Sequence, residues 1–348
     1  MIFSTFGLFK QRLLLTKFLD KISTDKTALF WGKKHPKRRK LAYILRLPLL
    51  NLEDGFLRSL GLGVSGYPPY SIVYDDIGIY YDTTRPSRLE QLILAADTMP
   101  SETLAQARQA MDFILQHHLS KYNHAPELSD DHPLRSPSKP ETVLIIDQTF
   151  GDMAIQYGGA DASTFELMFQ TALNENPQAD IWVKTHPDVL CGKKQGYLTQ
   201  LAQQHRVHLL AEDINPISLL QNVDKVYCVT SQMGFEALLC GKPLTTFGLP
   251  WYAGWGVSND RHPKIGSLVQ TQRRAPATCC SSSQQPICNT AATSIPIPAK
   301  QAASLMSSTI WRRSNAKTTN CVASCIASAC LCGNARLPNR SLTYPHAV

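Results

Sequence analysis

At 348 residues the chain is long enough for two α/β domains, each burying its own core. Its formal net charge of +8 suggests a nucleic-acid or anionic-membrane partner, but six of the 35 basic residues (Lys300, Arg312, Arg313, Lys317, Arg336 and Arg340) lie beyond Ala277, where Asp and Glu are absent. The remaining 29 basic and 27 acidic residues make a near-neutral body, which excludes nucleic acid as the expected partner.

The N-terminal stretch MIFSTFGLFKQRLLLTKFLDK is apolar but broken by Lys10, Arg12 and Lys17. It lacks the uninterrupted apolar run of a signal peptide or a membrane span. A helix packed within the protein is expected, with an amphipathic surface helix as the alternative. A β/α alternation follows: TALFWG as a strand, PKRRKLAYILRL as a helix opened by Pro, and PLLNLED as a strand ending in acids. SIVYDD and GIYYD read as two short strands, PSRLEQLILAADTM and SETLAQARQAMDFILQHHLSKY as amphipathic helices.

The polar, Pro-rich residues 124–140 form the expected linker between an N-terminal, acceptor-side Rossmann-like domain (1–123) and a C-terminal, nucleotide-sugar-binding one (141–275). The second half restarts with the buried-strand pattern VLIIDQ. The helix STFELMFQTALNEN, the strand DIWVKTHP, a helix near GYLTQLAQQH, the strand VHLLA, the segment INPISLLQ and the strand KVYCVT follow. A helix opened by Gly234-Phe235-Glu236-Ala237 and the short strand PLTTFG complete the set. Strands alternating with helices imply parallel sheets covered on both faces, with a cleft between the two units.

Residues 276–348 are rich in Ser, Ala, Thr and Cys, hold Trp311 and Tyr344 as their aromatics, and show no sustained periodicity. Disorder is expected there, because such a segment buries too little apolar surface to offset its ordering entropy. Read in a shifted frame, the codons from Thr278 permit the amphipathic LLQLFTAAYLQYSRYINPYTGKAGS, so a frameshift near Ala277 is the expected origin of the tail. Seven of the ten cysteines lie in the tail, with no zinc spacing. Only Cys191, Cys228 and Cys240 precede it. No metal, cofactor or disulfide framework is expected, and the body reads as cytoplasmic.

The chemistry-bearing residues cluster at strand ends. Glu53-Asp54-Gly55 can place one carboxylate in a cleft as general acid or base, or form a solvated turn. Asp147 and Asp152 in DQTFGD fit a carboxylate nucleophile or the cap of the next helix. Lys184 and His186 in KTHPD suit a phosphate leaving group. Thr230, Ser231 and Gly234, facing a helix N-terminus, suit an anion, with Glu236 placed for ribose hydroxyls. An ordinary crossover with a polar turn fits the same pattern. Trp251, Tyr252 and Trp255 either stack on a base or sugar or close the domain interface. The run Lys33, Lys34, His35, Lys37, Arg38, Arg39 and Lys40 reads as a solvated helix face, or as a contact for a membrane surface or an anionic acceptor.

Taken together, EDGFLRSLGLG, YYDTTRPSRLE, DQTFGD, VKTHPD with GKKQGYL, and TSQMGFEALLCGKPLTTFGLPWYAGWG resemble the capsule polysaccharide β-Kdo transferases of Gram-negative bacteria. The resemblance runs from about Ala28 to Arg274 and echoes bacterial sialyltransferases. It implies a GT-B fold, CMP-Kdo as donor and a lipid-linked Kdo acceptor, with retention of configuration. By motif, Asp152 would be the nucleophile with Asp147 second, and one of Glu53 and Asp54 the acid/base. Lys184 and His186 would meet the CMP phosphate. Thr230, Ser231, Gly234 and Glu236 would hold the rest of the nucleotide, and Arg58, Gln148, Trp251 and Tyr252 the sugars. The implied setting is cytoplasmic, with the inner-membrane surface and the capsule export machinery as further partners. Members of the family carry two catalytic modules where this chain has room for one. A non-catalytic assembly or export partner that keeps the fold, and a sialyltransferase-like enzyme, therefore stand as alternatives.

Overall fold

The computed structural model describes residues 2–10, 12–13, 15, 19, 26–96, 99–186, 189, 192, 195–198 and 206–275. The expected tail at 276–348 and most of the helix expected near GYLTQLAQQH lie outside these residues. The chain is α/β, with two sheets whose strand ends face one cleft.

The first sheet has the order β1 (Ile2–Phe3), β2 (Ala28–Trp31), β3 (Leu49–Asp54) and β4 (Ile72–Asp75). Strands β1 to β3 are parallel, but β4 runs antiparallel to β3, with Glu53 opposite Val73 and Asp54 opposite Ile72. The expected all-parallel sheet is therefore corrected. No helix crosses between β3 and β4, and a loop holding only the 3-10 turn Gly63–Ser65 returns the chain on itself. GIYYD forms no strand either. Asp75 Oδ1 accepts the N–H groups of Ile77 (2.8 Å) and Gly78 (2.7 Å), turning the backbone out of the sheet.

Two short helices, α1 (Phe6–Lys10) and α2 (Pro36–Ile44), flank this sheet. Leu8, Leu15 and Leu19 are buried in the cluster formed by Leu29, Leu50, Leu52 and Ile72, whereas Phe6, Phe9 and Leu13 of the same stretch are exposed. The basic run is not uniformly solvated. Arg39 lies over the Phe30 ring at 4.4 Å and donates to Asn51 Oδ1 at 2.7 Å, and Lys33 pairs with Asp82.

Helix α3 (Arg88–Leu94) opens with a capping box, Ser87 Oγ accepting the Glu90 N–H at 3.1 Å. Helix α4 (Ser101–Gln116) then leads to residues 124–140, which lie against the second half. Leu128 and Leu134 are buried, and the Leu128 N–H donates to Ser218 Oγ at 3.0 Å.

The second half carries β5 (Thr142–Ile146), α5 (Met153–Tyr157), α6 (Ala162–Glu175), β6 (Asp180–Lys184), β7 (Val207–Leu210) and α7 (Pro216–Gln221). It continues with β8 (Lys225–Cys228), α8 (Gln232–Leu239), β9 (Leu244–Thr246), β10 (Asn259–Asp260) and α9 (Ile265–Gln270). Its sheet is wholly parallel in the order β10-β9-β8-β5-β6-β7. Every residue of β5 is buried, as expected of a central strand covered on both faces. Chain direction away from the sheet centre reverses between β5 and β8, which opens a crevice at their carboxyl ends. One apolar cluster spans both halves and brings Phe56, Leu89, Ile93 and Phe113 together with Phe235, Trp251 and Trp255.

Candidate active site

The crevice between β5 and β8 is closed at its base by a side-chain amide. Gln148 Oε1 accepts the Thr230 N–H at 2.9 Å, and Gln148 Nε2 donates to Thr230 Oγ1 at 3.1 Å. Both residues are buried, so the two strand ends are fixed relative to each other. Asp152 lies a few residues beyond β5. One of its oxygens caps α5 by accepting the Ala154 N–H at 2.9 Å, and the other stands 3.5 Å from the Gln148 amide nitrogen. Half-buried, it keeps a carboxylate edge toward the cleft.

Asp147 is placed differently. It is buried and accepts three backbone N–H groups, from Gln148 (2.8 Å), Tyr197 (3.0 Å) and Leu198 (3.2 Å). Burial raises its pKa and these donors oppose the rise. Its lone pairs hold residues 196–198 against β5, so Asp152 keeps the more open carboxylate edge of the two on the cleft.

At the next strand end, Lys184 donates to the Glu212 carbonyl at 2.7 Å. Burial lowers its ammonium to about 8 against the pull of Asp213 and Glu212. Thr185 is buried, and its Oγ1 finds no hydrogen-bond partner among the described residues. His186 follows on the cleft wall. Ser231 caps α8 by accepting the Met233 N–H at 3.2 Å, while its carbonyl accepts the Gly234 N–H at 3.0 Å, and Ser231 and Gln232 at the positive end of that helix line the same space.

The opposite wall comes from the first half. Glu53 and Asp54 stand at the end of β3, and Gly32 stands beside them at φ 54°. A Cβ on Gly32 would lie 2.9 Å from Tyr81 Oη and 3.1 Å from Glu53 Oε2, so glycine is required by both conformation and space. Burial raises the Glu53 carboxyl above the ordinary range, with the Asp54 N–H at 3.1 Å opposing it. The cleft between the walls has a volume of about 450 Å³.

This arrangement gathers the acids Glu53, Asp54, Asp147 and Asp152 with Lys184 and His186. Gln148, Thr230, Ser231, Glu236 and Trp251 line the same space. Three expected site residues lie elsewhere. Arg58 is buried and pairs with Asp54 at 2.8 Å while donating to the Tyr67 carbonyl at 3.0 Å. Tyr252 is buried behind α8 and donates to the Ser231 carbonyl at 2.6 Å. Gly234 makes room for that ring, since a Cβ there would stand 2.2 Å from Tyr252 Oη. Trp251 packs between Phe56 (5.3 Å) and Phe235 (4.7 Å), closing the interface while one edge meets the cleft.

Sequence reasoning missed Lys121, Tyr80 and Tyr81, which also line the cleft. Tyr80 and Tyr81 open the motif YYDTTRPSRLE but carry no site role in that reading, and Lys121 stands in none of the motifs. Glu236 sits deeper than expected for a ribose contact. Its Oε1 accepts from Ser120 Oγ at 2.8 Å, which ties α8 to the end of the first half. Burial lifts its carboxyl to about 7. Among the described residues, no group of three or more His, Cys, Asp or Glu could hold a metal ion. No described helix is long and apolar enough to cross a membrane.

Residues 26–283 match the family described as capsule polysaccharide biosynthesis protein. The chain is 92% identical over 248 residues to the capsule polysaccharide modification protein LipA of Neisseria meningitidis serogroup A, covering 71% of this chain and 35% of LipA. It thus spans about a third of that relative's length. Over 244 residues it is 38% identical to the lipopolysaccharide-processing protein LpsZ of Rhizobium meliloti, covering 69% of this chain and 54% of LpsZ. Among solved structures it is similar to the β-Kdo 2,4-transferase of Thermosulfurimonas dismutans KpsC, at a TM-score of 0.72 and 37% identity, covering 84% of this chain and 90% of that one. The β-Kdo 2,7-transferase of the same KpsC gives a TM-score of 0.53 at 25% identity, covering 85% and 90%. The paired acids at the end of β3, the acid that caps α5 and the basic edge of β6 thus stand in a chain that belongs to the capsule polysaccharide biosynthesis protein family.

Proposed function

We propose that the cleft transfers Kdo from CMP-Kdo to a lipid-linked Kdo acceptor, with retention of configuration. The observation that carries this reading is the placing of Asp152 on one wall of a cleft whose other wall holds Glu53 and Asp54, beside the Lys184–His186 edge. The likeness to the β-Kdo 2,4-transferase of KpsC supports it.

In this reading the CMP phosphate lies against Lys184, His186 and the N-terminus of α8, where a positive side chain and the positive end of the helix dipole favour an anion. Asp152 Oδ2 attacks the anomeric carbon, the bond from that carbon to the phosphate oxygen breaks, and CMP leaves with the electron pair. The acceptor hydroxyl then attacks the same carbon. The bond to Asp152 breaks, and the hydroxyl proton passes to Glu53 or Asp54. Two displacements return the original configuration. Burial raises the Glu53 carboxyl above its ordinary value, which makes its carboxylate the stronger base for that proton. The acceptor's lipid anchor places the inner-membrane surface and the capsule export machinery among the partners of this reading.

The test is incubation of the purified chain with CMP-Kdo and a Kdo-terminated lipid acceptor. CMP release together with an acceptor heavier by one Kdo is expected. CMP-Kdo left intact, or hydrolysed with no change in acceptor mass, would remove the proposal.

A further inference from the structure

Four lysines line the cleft, and three have an evident task or position. Lys33 is paired with Asp82, Lys184 donates to the Glu212 carbonyl at the second-half edge, and Lys34 stands exposed at the rim. Lys121 is the fourth. Among the described residues its ammonium makes no ion pair.

Its backbone is held from both halves. The Lys121 carbonyl accepts the N–H groups of Arg58 (3.0 Å) and Ser59 (3.2 Å), and its own N–H donates to Glu236 Oε1 at 3.4 Å. Ser120 donates to the same Glu236 oxygen, and Asn123 Nδ2 bonds the carbonyls of Ser59 (3.1 Å) and Ser120 (2.8 Å). Residues 120–123 are thereby a fixed mount between the two walls. The side chain lies along the cleft with its ammonium 5.8 Å from the Tyr122 ring centroid. Burial lowers its pKa, but Tyr122, Asp54, Glu53 and Asp152 outweigh that, so the ammonium titrates above its ordinary value. It is a retained cation on the same cleft as the three acids that the proposed mechanism uses.

We infer that Lys121 is the receptor for the sugar carboxylate of the donor, and so selects a 2-ulosonic acid over a neutral sugar. This rests on the CMP-Kdo reading. A 2-ulosonic acid carries its carboxylate on the reacting carbon, where the Asp152 carboxylate must approach and a second carboxylate must take a proton. Three negative groups around one carbon repel each other strongly in a cleft of low dielectric. A fixed cation among them offsets that repulsion and orients the sugar. The phosphate has its own partners on the second-half wall at Lys184 and His186, whereas Lys121 is mounted on the loop that follows Glu53 and Asp54.

The experiment measures binding of CMP and of CMP-Kdo to the full chain, by calorimetry without acceptor, for wild type, Lys121→Met and Lys121→Arg. Loss of a desolvated charge partner predicts a fall of about 50-fold in CMP-Kdo affinity for Lys121→Met, with CMP affinity unchanged and partial recovery in Lys121→Arg. Unchanged CMP binding also shows that the variant is folded. Equal losses for CMP and CMP-Kdo would assign Lys121 to the phosphate and overturn the inference, as would CMP-Kdo binding that Lys121→Met leaves intact. A wild-type chain that binds CMP but gains nothing from the Kdo group would overturn the donor reading and this inference together.

Discussion

Arg274 donates from Nε to Glu90 Oε1 at 3.0 Å, joining the end of the second half to the first turn of α3. Arg274 also donates from Nη1 to the carbonyls of Pro250 (2.7 Å) and Ala253 (2.8 Å), so it braces the aromatic loop from behind. Glu90 takes a second ion pair from Arg273 at 3.0 Å. Both Glu90 and Arg274 are buried, which makes the pair a clasp between the halves. Removing the carboxylate leaves the buried Arg274 uncompensated, whereas removing Arg274 leaves Glu90 paired with Arg273. Glu90→Gln should therefore lower unfolding free energy by about 3–5 kcal/mol and Arg274→Met by less, read as the urea midpoint at constant m-value. A loss under about 1 kcal/mol would place the pair among solvated surface contacts.

Asp152 and Asp147 should separate cleanly. Asp152→Ala should abolish transfer while CMP binding stays near wild type, because an attacking carboxylate acts on the sugar carbon. Asp147→Asn should instead weaken the fold by about 1–3 kcal/mol, because an amide nitrogen cannot accept the N–H groups that Asp147 now takes. Single-turnover assays beside thermal melts give both answers. An active Asp152→Ala with an inactive but stable Asp147→Asn would exchange the two roles.

Glu236 gives the fold a pH signature. Burial lifts its carboxyl from 4.5 to about 7. Between those values the unfolded chain has released this proton while the folded chain keeps it, so stability falls as pH rises. The slope from this one group is about 1.4 kcal/mol per pH unit at most. Glu236→Gln should flatten the difference. Urea midpoints at pH 5 and pH 7.5 decide the matter, and a wild-type-to-variant difference that does not change with pH counts against it.

In the proposed function, Lys184 sets an upper pH limit on CMP binding. Its ammonium, lowered by burial to about 8, is charged at pH 7 and neutral above that value. A neutral amine no longer attracts phosphate. CMP affinity should therefore decline through pH 8 to 9 in the wild type. Lys184→Met should bind weakly and show no such decline. Titration calorimetry across that range reads the effect directly.

Gly234→Ala tests the packing account of that glycine. The added methyl would meet Tyr252 Oη at 2.2 Å and Cys228 Sγ at 2.7 Å. Overpacking of this kind costs about 1–3 kcal/mol. The companion Gly234→Ala/Tyr252→Phe removes the oxygen and should recover part of the loss. If CMP affinity falls while stability holds, the glycine serves the ligand and not the ring.

Most of the secondary structure was readable because its signals are local. The apolar runs of β5, β6 and β8 depend on residues within a turn of each other. So did the placing of acids, Lys184 and Ser231 at strand ends, since a parallel sheet sends all such ends to one edge. The antiparallel β4 and the turn at GIYYD escaped that reading. Hydrophobic pattern marks a strand but not its direction, and the Asp75 turn competes with pairing.

What the sequence determined by itself was therefore the α/β alternation and the edge on which the chemistry stands. Only the tertiary structure decided which residues share that edge with a ligand and which are spent on the fold. Arg58, Asp147, Gly234 and Tyr252 each answer a neighbour that is distant in the chain or hidden by packing. Lys121 enters the cleft because Arg58, Ser59 and Glu236 hold its backbone between two halves more than a hundred residues apart in the case of Glu236. Propensity and periodicity act over a few residues, whereas burial, charge pairing and orientation are settled by contacts that form only when both halves have closed on each other.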